Sequence, residues 1–376
     1  MKKIHITLIG GQKMPVYKGI IASAPEYTYL VHTSGSRRDA EFIESMLDHP
    51  AERIEVDEFD MAAIIQKVKE KVTQQGEITV NVTAALKTMS FALYKLFEQD
   101  PNATIFYMDQ SDRYINLKNL EKKDMQIPIS LMDICTLMNH RILDVLPWGE
   151  VDEDLKRASL QIRKLATQFP NAFYKMAADL RDFKDGMKAH QNIIKAGESS
   201  LLYDHMKKRL VIKMNKHRKQ DLLEIDHPRA YELIGRTLWL EIEAAHMLST
   251  MPNLDELLIG LIFAYSTNPN NQSLAKNELD LILRINNRIV VIEVKTSIFD
   301  IKDIDKFKAG VRTYFGDSAT PIFLTDAPIR INQKEKLDDA GVAHICLSEL
   351  RDRHPNDTHI ALQHAIYQSM VANHTR

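Results

Sequence analysis

Short apolar runs alternate with amphipathic stretches from the N-terminus to about residue 110. The apolar runs predict strands at Ile4–Ile9, Thr28–His32, Ile54–Val56, Ile78–Asn81 and Thr104–Tyr107. Between them, apolar residues recur at helical spacing, for example at Asp39–Leu47, Met61–Val72 and Lys87–Gln99. Strands that alternate with helices form a parallel sheet with right-handed crossovers. We therefore predict an α/β domain over residues 1–130.

Two loops at one edge of this predicted sheet are unusual in sequence. The first, Gly10–Pro15, follows the first strand, and the second, Asn81–Lys87, follows the fourth. Parallel α/β sheets bind ligands beyond the carboxyl ends of their strands. We therefore expect a ligand site at this edge.

The middle of the chain, residues 131–228, has a mainly helical and polar pattern, and we expect it to form a connector. Its most distinctive feature is a run from Met206 to Lys219 that holds basic residues and no acid. The basic residues are Lys207, Lys208, Arg209, Lys213, Lys216, Arg218 and Lys219. Such a run is either a solvated surface or a contact for nucleic acid, and the sequence leaves both open.

The last segment, residues 229–376, begins with a predicted helix that has apolar residues at helical spacing. They are Leu233, Ile234, Leu238 and Ile242. A predicted strand and an Asn-rich loop around Asn268–Gln272 follow. Two β-rich runs then flank Asn286-Asn287, and asparagine tolerates positive φ at both positions of a tight turn. The sequence therefore predicts a hairpin that turns at these two residues.

This hairpin sorts its side chains onto two faces, because successive residues of a strand point to opposite sides. One face is apolar and carries the pairs Leu279–Val294, Leu281–Ile292 and Leu283–Val290. The other face carries Asp280 opposite Glu293 and Glu278 opposite Lys295. Two carboxylates directly opposite each other repel and destabilise a sheet. A divalent cation between them reverses the sign of the interaction, so we predict a metal site on this face.

The chemistry of such a site is that of a nuclease. A few oxygen ligands suit Mg²⁺ or Mn²⁺, which lowers the pKa of a bound water and neutralises charge on a phosphate under attack. Lys295 lies two residues beyond Glu293, on the same face, and would stabilise that charge. The Val294 carbonyl is a further candidate metal ligand, and a helix acid, Glu241 or Glu243, would complete the set. We predict that residues 229–376 form a metal-dependent nuclease domain.

Composition narrows the class of protein. The 376 residues are 44% hydrophobic and 27% charged, which is typical of a soluble protein with more than one domain. The formal net charge of −2 excludes a globally basic surface, so any contact with nucleic acid has to be local. Cys135 and Cys346 match no metal-ligand spacing and favour a reducing compartment. The apolar run after Lys3 is too short and polar for a signal peptide, and nothing suggests a membrane span. We expect a cytoplasmic protein with no membrane partner.

The hairpin motif resembles that of the PD-(D/E)xK restriction-endonuclease-like superfamily, through Lys276–Asp280 and Val291–Lys295. It is similar in particular to the nucleases attached to CARF domains, the CRISPR-associated Rossmann folds. In those proteins a helix with a Trp-x-Glu motif precedes the hairpin, and Trp239-Leu240-Glu241 fits this motif. The resemblance therefore favours Glu241 over Glu243 as the third acid, beside Asp280, Glu293 and Lys295.

The N-terminal half carries the same resemblance. Gln12-x-x-Pro15 is similar to the first ligand loop of the family, and Asn81–Ser90 is similar to its Asn-x-Thr-Gly-Gly-Thr-Lys-x-Met stretch. Ala84 and Ala85 stand where the family has glycines. The ligand-binding residues that the resemblance implies are Gly11, Gln12, Thr83, Ala84, Ala85, Leu86 and Lys87.

What the resemblance implies is a type III CRISPR ancillary nuclease. A Rossmann-like CARF domain, a helical connector and a restriction-endonuclease-like α/β domain would follow one another along the chain. A cyclic oligoadenylate, with tetra-adenylate favoured, would bind across a homodimer and activate cleavage of DNA or RNA with Mn²⁺ or Mg²⁺. Two alternatives stay open: an ungated, structure-specific nuclease of DNA repair or recombination, and an inactive ligand-sensing regulator.

Overall fold

The computed structural model describes residues 1–109, 113–124, 127, 129–138, 140–182, 191–216, 219–264, 275–296, 300–316 and 319–374. The Asn-rich loop around Asn268–Gln272 lies outside these residues. The chain divides into two compact units, Met1–Asn139 and His140–Arg376. Both units contain sheets and helices, so the mixed α/β class predicted from the sequence is confirmed.

The N-terminal unit contains a seven-stranded sheet in the order β3-β2-β1-β4-β5-β6-β7. Its strands are β1 Lys3–Leu8, β2 Tyr27–His32, β3 Ala51–Glu55, β4 Glu77–Asn81, β5 Ala103–Met108, β6 Arg113–Asn116 and β7 Lys122–Asp124. The first five strands pair in parallel and correspond to the five predicted from the sequence. β6 and β7 continue the sheet as antiparallel strands that the sequence pattern did not predict.

Helices connect the parallel strands. They are α1 Lys13–Ser23, α2 Arg37–Ser45, α3 Met61–Lys71 and α4 Lys87–Phe97, with α5 Leu131–Leu137 after the last strand. Both faces of the sheet are covered, since Ile4 and Ile6 of β1 are buried and so are His5 and Thr7 between them. β1 and β4 are neighbours although two further strands separate them along the chain. The loops that follow these two strands therefore lie at the position where strand order reverses, which is where such sheets bind ligands.

The second unit begins with β8 Ile142–Pro147, α6 Glu153–Gln168 and α7 Pro170–Asp182. A four-stranded antiparallel sheet follows, in the order β12-β11-β10-β9. Its strands are β9 Gln191–Ala196, β10 Ser199–Asp204, β11 Arg209–Lys216 and β12 Lys219–Asp226. The expectation of a helical connector over 131–228 is therefore wrong for residues 191–226.

The reason lies in the outward positions of these strands. Leu210, Ile212 and Met214 of β11 are buried at every second position, which is the period of a strand. Lys213 between them is exposed. Basic and polar residues on the outer face gave the segment a composition similar to that of a solvated helix. The segment also contributes β8 to the main sheet of the second unit, so it is not a separate connector.

The main sheet of the second unit has six strands in the order β17-β16-β15-β14-β13-β8. The remaining strands are β13 Leu254–Ala264, β14 Ala275–Ile285, β15 Arg288–Lys295, β16 Thr320–Thr325 and β17 Ala343–Cys346. The helices are α8 Ala230–Gly235, α9 Leu238–Leu248, α10 Ile301–Phe315, α11 Ile331–Ala340, α12 Leu347–Arg353 and α13 Thr358–His374. The single helix predicted across Leu233–Ile242 is two helices, because Thr237 adopts a left-handed φ of 62° between them.

Helix α9 lies in the core of this unit. It is buried along most of its length, including its two acids Glu241 and Glu243. Its apolar residues share one core cluster with alternate residues of β14 and β15, among them Leu281 and Ile292. The helix therefore places acidic side chains inside a hydrophobic core, beside the hairpin.

In the part of the chain that the structure describes, no helix has the length and apolarity needed to cross a membrane.

Candidate active site and ligand loops

The hairpin of β14 and β15 turns at Asn286 and Asn287, whose φ values are 48° and 63°. Left-handed φ at both positions is the turn geometry that matches the right-handed twist of paired strands. The observed pairs run from Leu281–Ile292 to Ile285–Arg288. The turn and the register predicted from the sequence are confirmed over this part of the ladder.

Asp280 directly precedes the first of these pairs. Its Oδ2 accepts a hydrogen bond from the backbone N–H of Val294 at 2.7 Å. The carboxylate is therefore held against the neighbouring strand, one residue beyond Glu293. The role of the Val294 carbonyl as a metal ligand stays a prediction.

The alternation of faces along β14 changes beside Asp280. Leu281 belongs to the core cluster that includes α9. Leu279 instead lies towards α10, since a Cβ built at Gly310 would stand 4.0 Å from Leu279 Cδ2. On β13, Gly260 has a φ of 61° and lies between the pairing partners of Leu279 and Leu281. The predicted apolar face shared by these two leucines is therefore wrong, and the change of face lies opposite Gly260 of β13.

Lys295 lies between the two acids of the hairpin. Its Nζ is 2.7 Å from Glu293 Oε1 and 3.9 Å from Asp280 Oδ2. The side chains of the two acids are 13% and 14% exposed, and that of the lysine is 37% exposed. The structure therefore brings these three predicted site residues together, largely shielded from solvent but open on one side.

Glu241 of α9 joins this group from inside the core. It is only 6% exposed. Burial, and after it the negative charge of Asp280, raises the pKa of the Glu241 carboxyl well above its ordinary value. Glu278 and Glu293 add to this effect, and Lys295 opposes it. The carboxyl group of Glu241 therefore interacts with three other carboxyl groups and with the single ammonium group of Lys295.

The pKa values of the hairpin residues have the same origin. Burial, followed by the charge of Glu293, raises the pKa of Asp280 from 3.8 to about 8. Burial alone would lower the pKa of Lys295, but the charges of Asp280 and Glu293 outweigh it and raise that pKa above its ordinary value. The two acids therefore favour the protonated form of Lys295, in which it donates hydrogen bonds.

Glu243, the other candidate for the third acid, is engaged elsewhere. Its Oε2 accepts from Nε and Nη2 of Arg163 at 2.7 and 2.6 Å, and its Oε1 accepts from Nη2 of Arg351 at 3.0 Å. Positions two apart on a helix point to nearly opposite sides. The structure therefore places Glu241, and not Glu243, with the acids of the hairpin.

Among the residues that the structure describes, no group of three His, Cys, Asp or Glu side chains has an arrangement that could coordinate a metal ion. The donor set at Asp280, Glu293 and Glu241 nevertheless has the chemistry of a hard-cation site, because it offers carboxylate oxygens alone. Burial makes the ionised forms of Asp280 and Glu241 unfavourable, as their raised pKa values indicate. A divalent cation is the partner that compensates such a group, so these residues fit one.

In the N-terminal unit, the two candidate ligand loops touch each other. A Cβ at Gly10 would lie 1.6 Å from the carbonyl oxygen of Ala84, so only glycine permits this approach. The first loop is shorter than predicted, because α1 already begins at Lys13. The two loops thus form one continuous surface at the position where strand order reverses.

Asn81 organises the second loop. Its Oδ1 accepts from the backbone N–H of Thr83 at 3.1 Å and from Thr83 Oγ1 at 2.6 Å, while its Nδ2 donates to the Pro15 carbonyl at 3.1 Å. Thr83 Oγ1 also accepts from the Met108 N–H at 2.9 Å. Sequence reasoning gave Asn81 no role of its own. An Asn at the end of a strand, with Thr two residues later, is the Asx-turn signal that would have found it.

The other candidates of the second loop are divided between core and surface. Ala84 is buried, and Ala85 packs against the core cluster of the N-terminal sheet. Neither alanine is among the described residues with positive φ. Leu86 and Lys87 are exposed where α4 begins, and Leu86 makes no capping hydrogen bond with its side chain. The N-cap residue of α4 therefore offers no side-chain acceptor to the first N–H groups of the helix.

Gly11 and Gln12 of the first loop are both exposed. They follow Gly10, which is in contact with Ala84, so they lie beside the second loop. All the residues that the family resemblance implies are thus at one edge of the N-terminal sheet.

The basic run of the middle segment lies on the four-stranded sheet. Lys207 and Lys208 are exposed in the turn between β10 and β11, and Lys213 is exposed on β11. Arg209 differs, because it forms ion pairs with two acids of β12. Arg218 lies outside the described residues. The exposed lysines, and not the whole run, are the candidates for contact with a polyanion.

Comparison with known proteins identifies the N-terminal domain. Residues 4–134 match the family model of the Card1 CARF domain, which is about a third of the chain. No curated protein matches the sequence.

Solved structures of the same fold include the three that follow. Can2 from Sulfobacillus thermosulfidooxidans, in complex with cyclic tetra-adenylate, superposes with a TM-score of 0.65 at 16% identity, over 98% of this chain and 99% of Can2. Protein VC1899 from Vibrio cholerae gives a TM-score of 0.70 at 16% identity, over 99% of this chain and 98% of VC1899.

A type III CRISPR defence DNA nuclease activated by cyclic oligoadenylate gives a TM-score of 0.55 at 14% identity. The match covers 88% of this chain and 46% of that nuclease. At such identities the likeness concerns the fold alone. The chain therefore has an N-terminal CARF domain and shares its fold over nearly its whole length with Can2 and VC1899.

Proposed function

We propose that this protein is a metal-dependent nuclease of type III CRISPR defence, activated by a cyclic oligoadenylate that binds its CARF domain. The observation that carries the nuclease part is the meeting of Glu241, Asp280 and Glu293 around Lys295. Several shielded carboxyl groups with one ammonium form an unfavourable arrangement for a purely structural site. A cation and a phosphodiester together would supply the charges that the arrangement lacks.

Asp280, Glu293 and Glu241 would hold Mg²⁺ or Mn²⁺, which supplies Lewis-acid stabilisation of the phosphate and an acidified water when bound. Asp280 is oriented for this role by the N–H of Val294. Lys295 reaches both hairpin acids. It would donate hydrogen bonds to a phosphate oxygen and stabilise the charge that grows there.

The activator part of the proposal is supported by the CARF domain and by the likeness to Can2, which was solved with cyclic tetra-adenylate. The uncapped N-terminus of α4, with Lys87 beside it, suits a phosphate. The methyl group of Ala85 packs towards the core, so replacement of the family glycine leaves this surface open. We take cyclic tetra-adenylate as the activator, bound between two copies of the chain.

Cleavage by the full-length protein tests both parts. Labelled single-stranded DNA, RNA and supercoiled plasmid would be incubated with Mn²⁺, with and without cyclic tetra- or hexa-adenylate. We expect activator-dependent cleavage that Glu293→Gln reduces by at least about a thousandfold. Glu256→Gln removes a carboxylate that pairs with Arg284 elsewhere in the same sheet and should retain activity.

Three results would contradict the proposal in different ways. Full activity of Glu293→Gln would refute the active site. Equal cleavage without any cyclic nucleotide would refute activation and favour an ungated nuclease. Tight binding of the nucleotide without cleavage of any substrate would favour a ligand-sensing regulator.

A further inference from the structure

Behind the candidate active site, four charged side chains and a tyrosine form a closed network that we call the arginine cluster. Its members are Arg163 of α6, Tyr174 of α7, Glu243 of α9, Asp326 after β16 and Arg351 of α12. Each arginine reaches both acids. Arg163 Nη1 is 2.9 Å from Asp326 Oδ2, and Arg351 Nη1 is 2.8 Å from Asp326 Oδ1. With the contacts to Glu243 given above, all four carboxylate oxygens accept from an arginine.

The two acids of the cluster are buried, and its charges balance. Glu243 and Asp326 are 7% and 6% exposed. Tyr174 Oη donates a further hydrogen bond to Asp326 Oδ2 at 2.6 Å, and the guanidinium of Arg163 stacks 4.5 Å from the ring of Trp239. Desolvation cancels most of the Coulomb gain of a buried ion pair, so such a network adds little to net stability. Its contacts join α6, α7, α9, α12 and the residue that follows β16.

The segments that it fixes are those that carry the catalytic groups. Glu243 is two residues from Glu241 on α9, and Trp239 is two residues away on the other side. Asp326 is joined to the active strand, since its backbone N–H donates to the carbonyl of Lys295 at 2.9 Å. A shift at Glu243 therefore moves Glu241, and a shift at Asp326 moves the end of the strand that carries Lys295.

We propose that Arg163 and Arg351 are positioning residues, which set the approach of Glu241 to Asp280 and Lys295 through Glu243 and Asp326. This proposal rests on the proposed nuclease function and extends it to residues that contact neither metal nor substrate. Loss of one arginine leaves two buried carboxylates facing a single guanidinium. The acids then separate or draw in water, and α9 turns away from the hairpin.

Full-length Arg163→Met and Arg351→Met would be compared with wild type and with Arg284→Met. Arg284 is a matched control, because it is also buried and pairs with Asp255 and Glu256, at the turn end of the same hairpin. Mn²⁺ binding would be measured by calorimetry without substrate, and kcat and KM would be measured with the cleaved substrate.

The cluster variants should bind Mn²⁺ about 10–100-fold more weakly and lose a similar factor in kcat, the range seen when groups that orient metal ligands are removed. Their KM for nucleic acid should stay within about twofold, because the nucleic acid is not their contact. Arg284→Met should have a lower thermal stability but the same Mn²⁺ affinity and kcat as the wild type. Arg351→Lys, which retains a charge, should recover part of the Mn²⁺ affinity.

Tyr174→Phe extends the test if either arginine variant fails to fold, because it removes one hydrogen bond to Asp326 and no charge. It should lower Mn²⁺ affinity and kcat in the same direction. Wild-type values in every folded cluster variant, or equal losses in Arg284→Met, would overturn the positioning role alone. A wild-type protein that neither binds Mn²⁺ nor cleaves would overturn the proposed function and this role together.

Discussion

Replacing Asp280 by asparagine should make the stability of the metal-free protein less dependent on pH. The amide keeps an oxygen that accepts the Val294 N–H and removes the charge. In the wild type, burial and the charge of Glu293 raise the pKa of Asp280 from 3.8 to about 8 in the folded protein. The folded state therefore binds a proton that the unfolded chain has already released at neutral pH.

The size of the effect follows from proton linkage. When the pKa of a group is higher in the folded state than in the unfolded chain, its contribution to stability is fully present below the pKa of the unfolded chain. That contribution is lost as pH rises through the pKa of the folded state. Between pH 5 and 7 the difference is nearly one proton, so the free energy of unfolding falls by ~1.4 kcal/mol per pH unit. Between pH 5 and 7 the free energy of unfolding of the wild type should therefore fall by ~3 kcal/mol more than that of Asp280→Asn. For a domain of this size that is a difference of ~5–10 °C in Tm.

The assay is thermal and urea denaturation of both proteins in EDTA at pH 5, 6, 7 and 8. The Tm of wild type should fall towards pH 8, while that of Asp280→Asn should fall less and be higher at pH 7. Glu241 strengthens the trend, because its pKa is raised in the same direction and Asp280 is one of the causes. Added Mn²⁺ should raise the Tm of wild type most at pH 8, where ionised carboxyls are available to it.

Parallel pH curves for wild type and Asp280→Asn would refute this reasoning. They would mean that Asp280 is ionised in the folded protein without help from a cation. The electrostatic basis for the metal site would then be wrong, whatever the protein cleaves.

Three further predictions concern other residues. Lys295→Met should abolish cleavage but leave Mn²⁺ affinity equal or higher by calorimetry, because the ammonium competes with a cation for Glu293; weaker Mn²⁺ binding would contradict this. Gly10→Ala should lower the free energy of unfolding by more than ~2 kcal/mol and the affinity for cyclic tetra-adenylate at least ~10-fold, since the new Cβ would overlap a backbone carbonyl. The control is Gly149→Ala, whose Cβ would meet nothing within 4 Å, and it should change neither quantity. Replacing both Lys207 and Lys208 by glutamine should weaken substrate binding and reduce its salt dependence by up to ~2 in log–log slope; unchanged affinity would make them merely solvated side chains.

Local patterns were sufficient for the hairpin and for the parallel strands. Two asparagines between β-rich runs gave the turn and the pairing of Leu281 with Ile292, because a tight turn and a two-residue period leave few registers. The same period failed at Leu279. The change of face lies opposite the left-handed Gly260, which belongs to another strand, and nothing in the sequence of β14 itself indicates it.

The four-stranded sheet shows how composition can conceal a strand. Leu210, Ile212 and Met214 are buried at every second position, but the polar composition of residues 131–228 as a whole suggested a helical connector. Short strands have a weaker signal than long helices, because only a few positions report the period. In the folded protein β11 pairs with β10 and β12.

By itself, the sequence determined which residue types could carry the chemistry and placed Asp280, Glu293 and Lys295 on one hairpin, because these depend on spacing within a short segment. The Trp-x-Glu motif already favoured Glu241 over Glu243, but only the tertiary structure showed that Glu243 pairs with Arg163 and Arg351, which come from helices far away along the chain. Charged residues that the fold brings together from distant segments produce no periodic pattern in the sequence. Their energies depend on burial and distance, which exist only once the chain has folded.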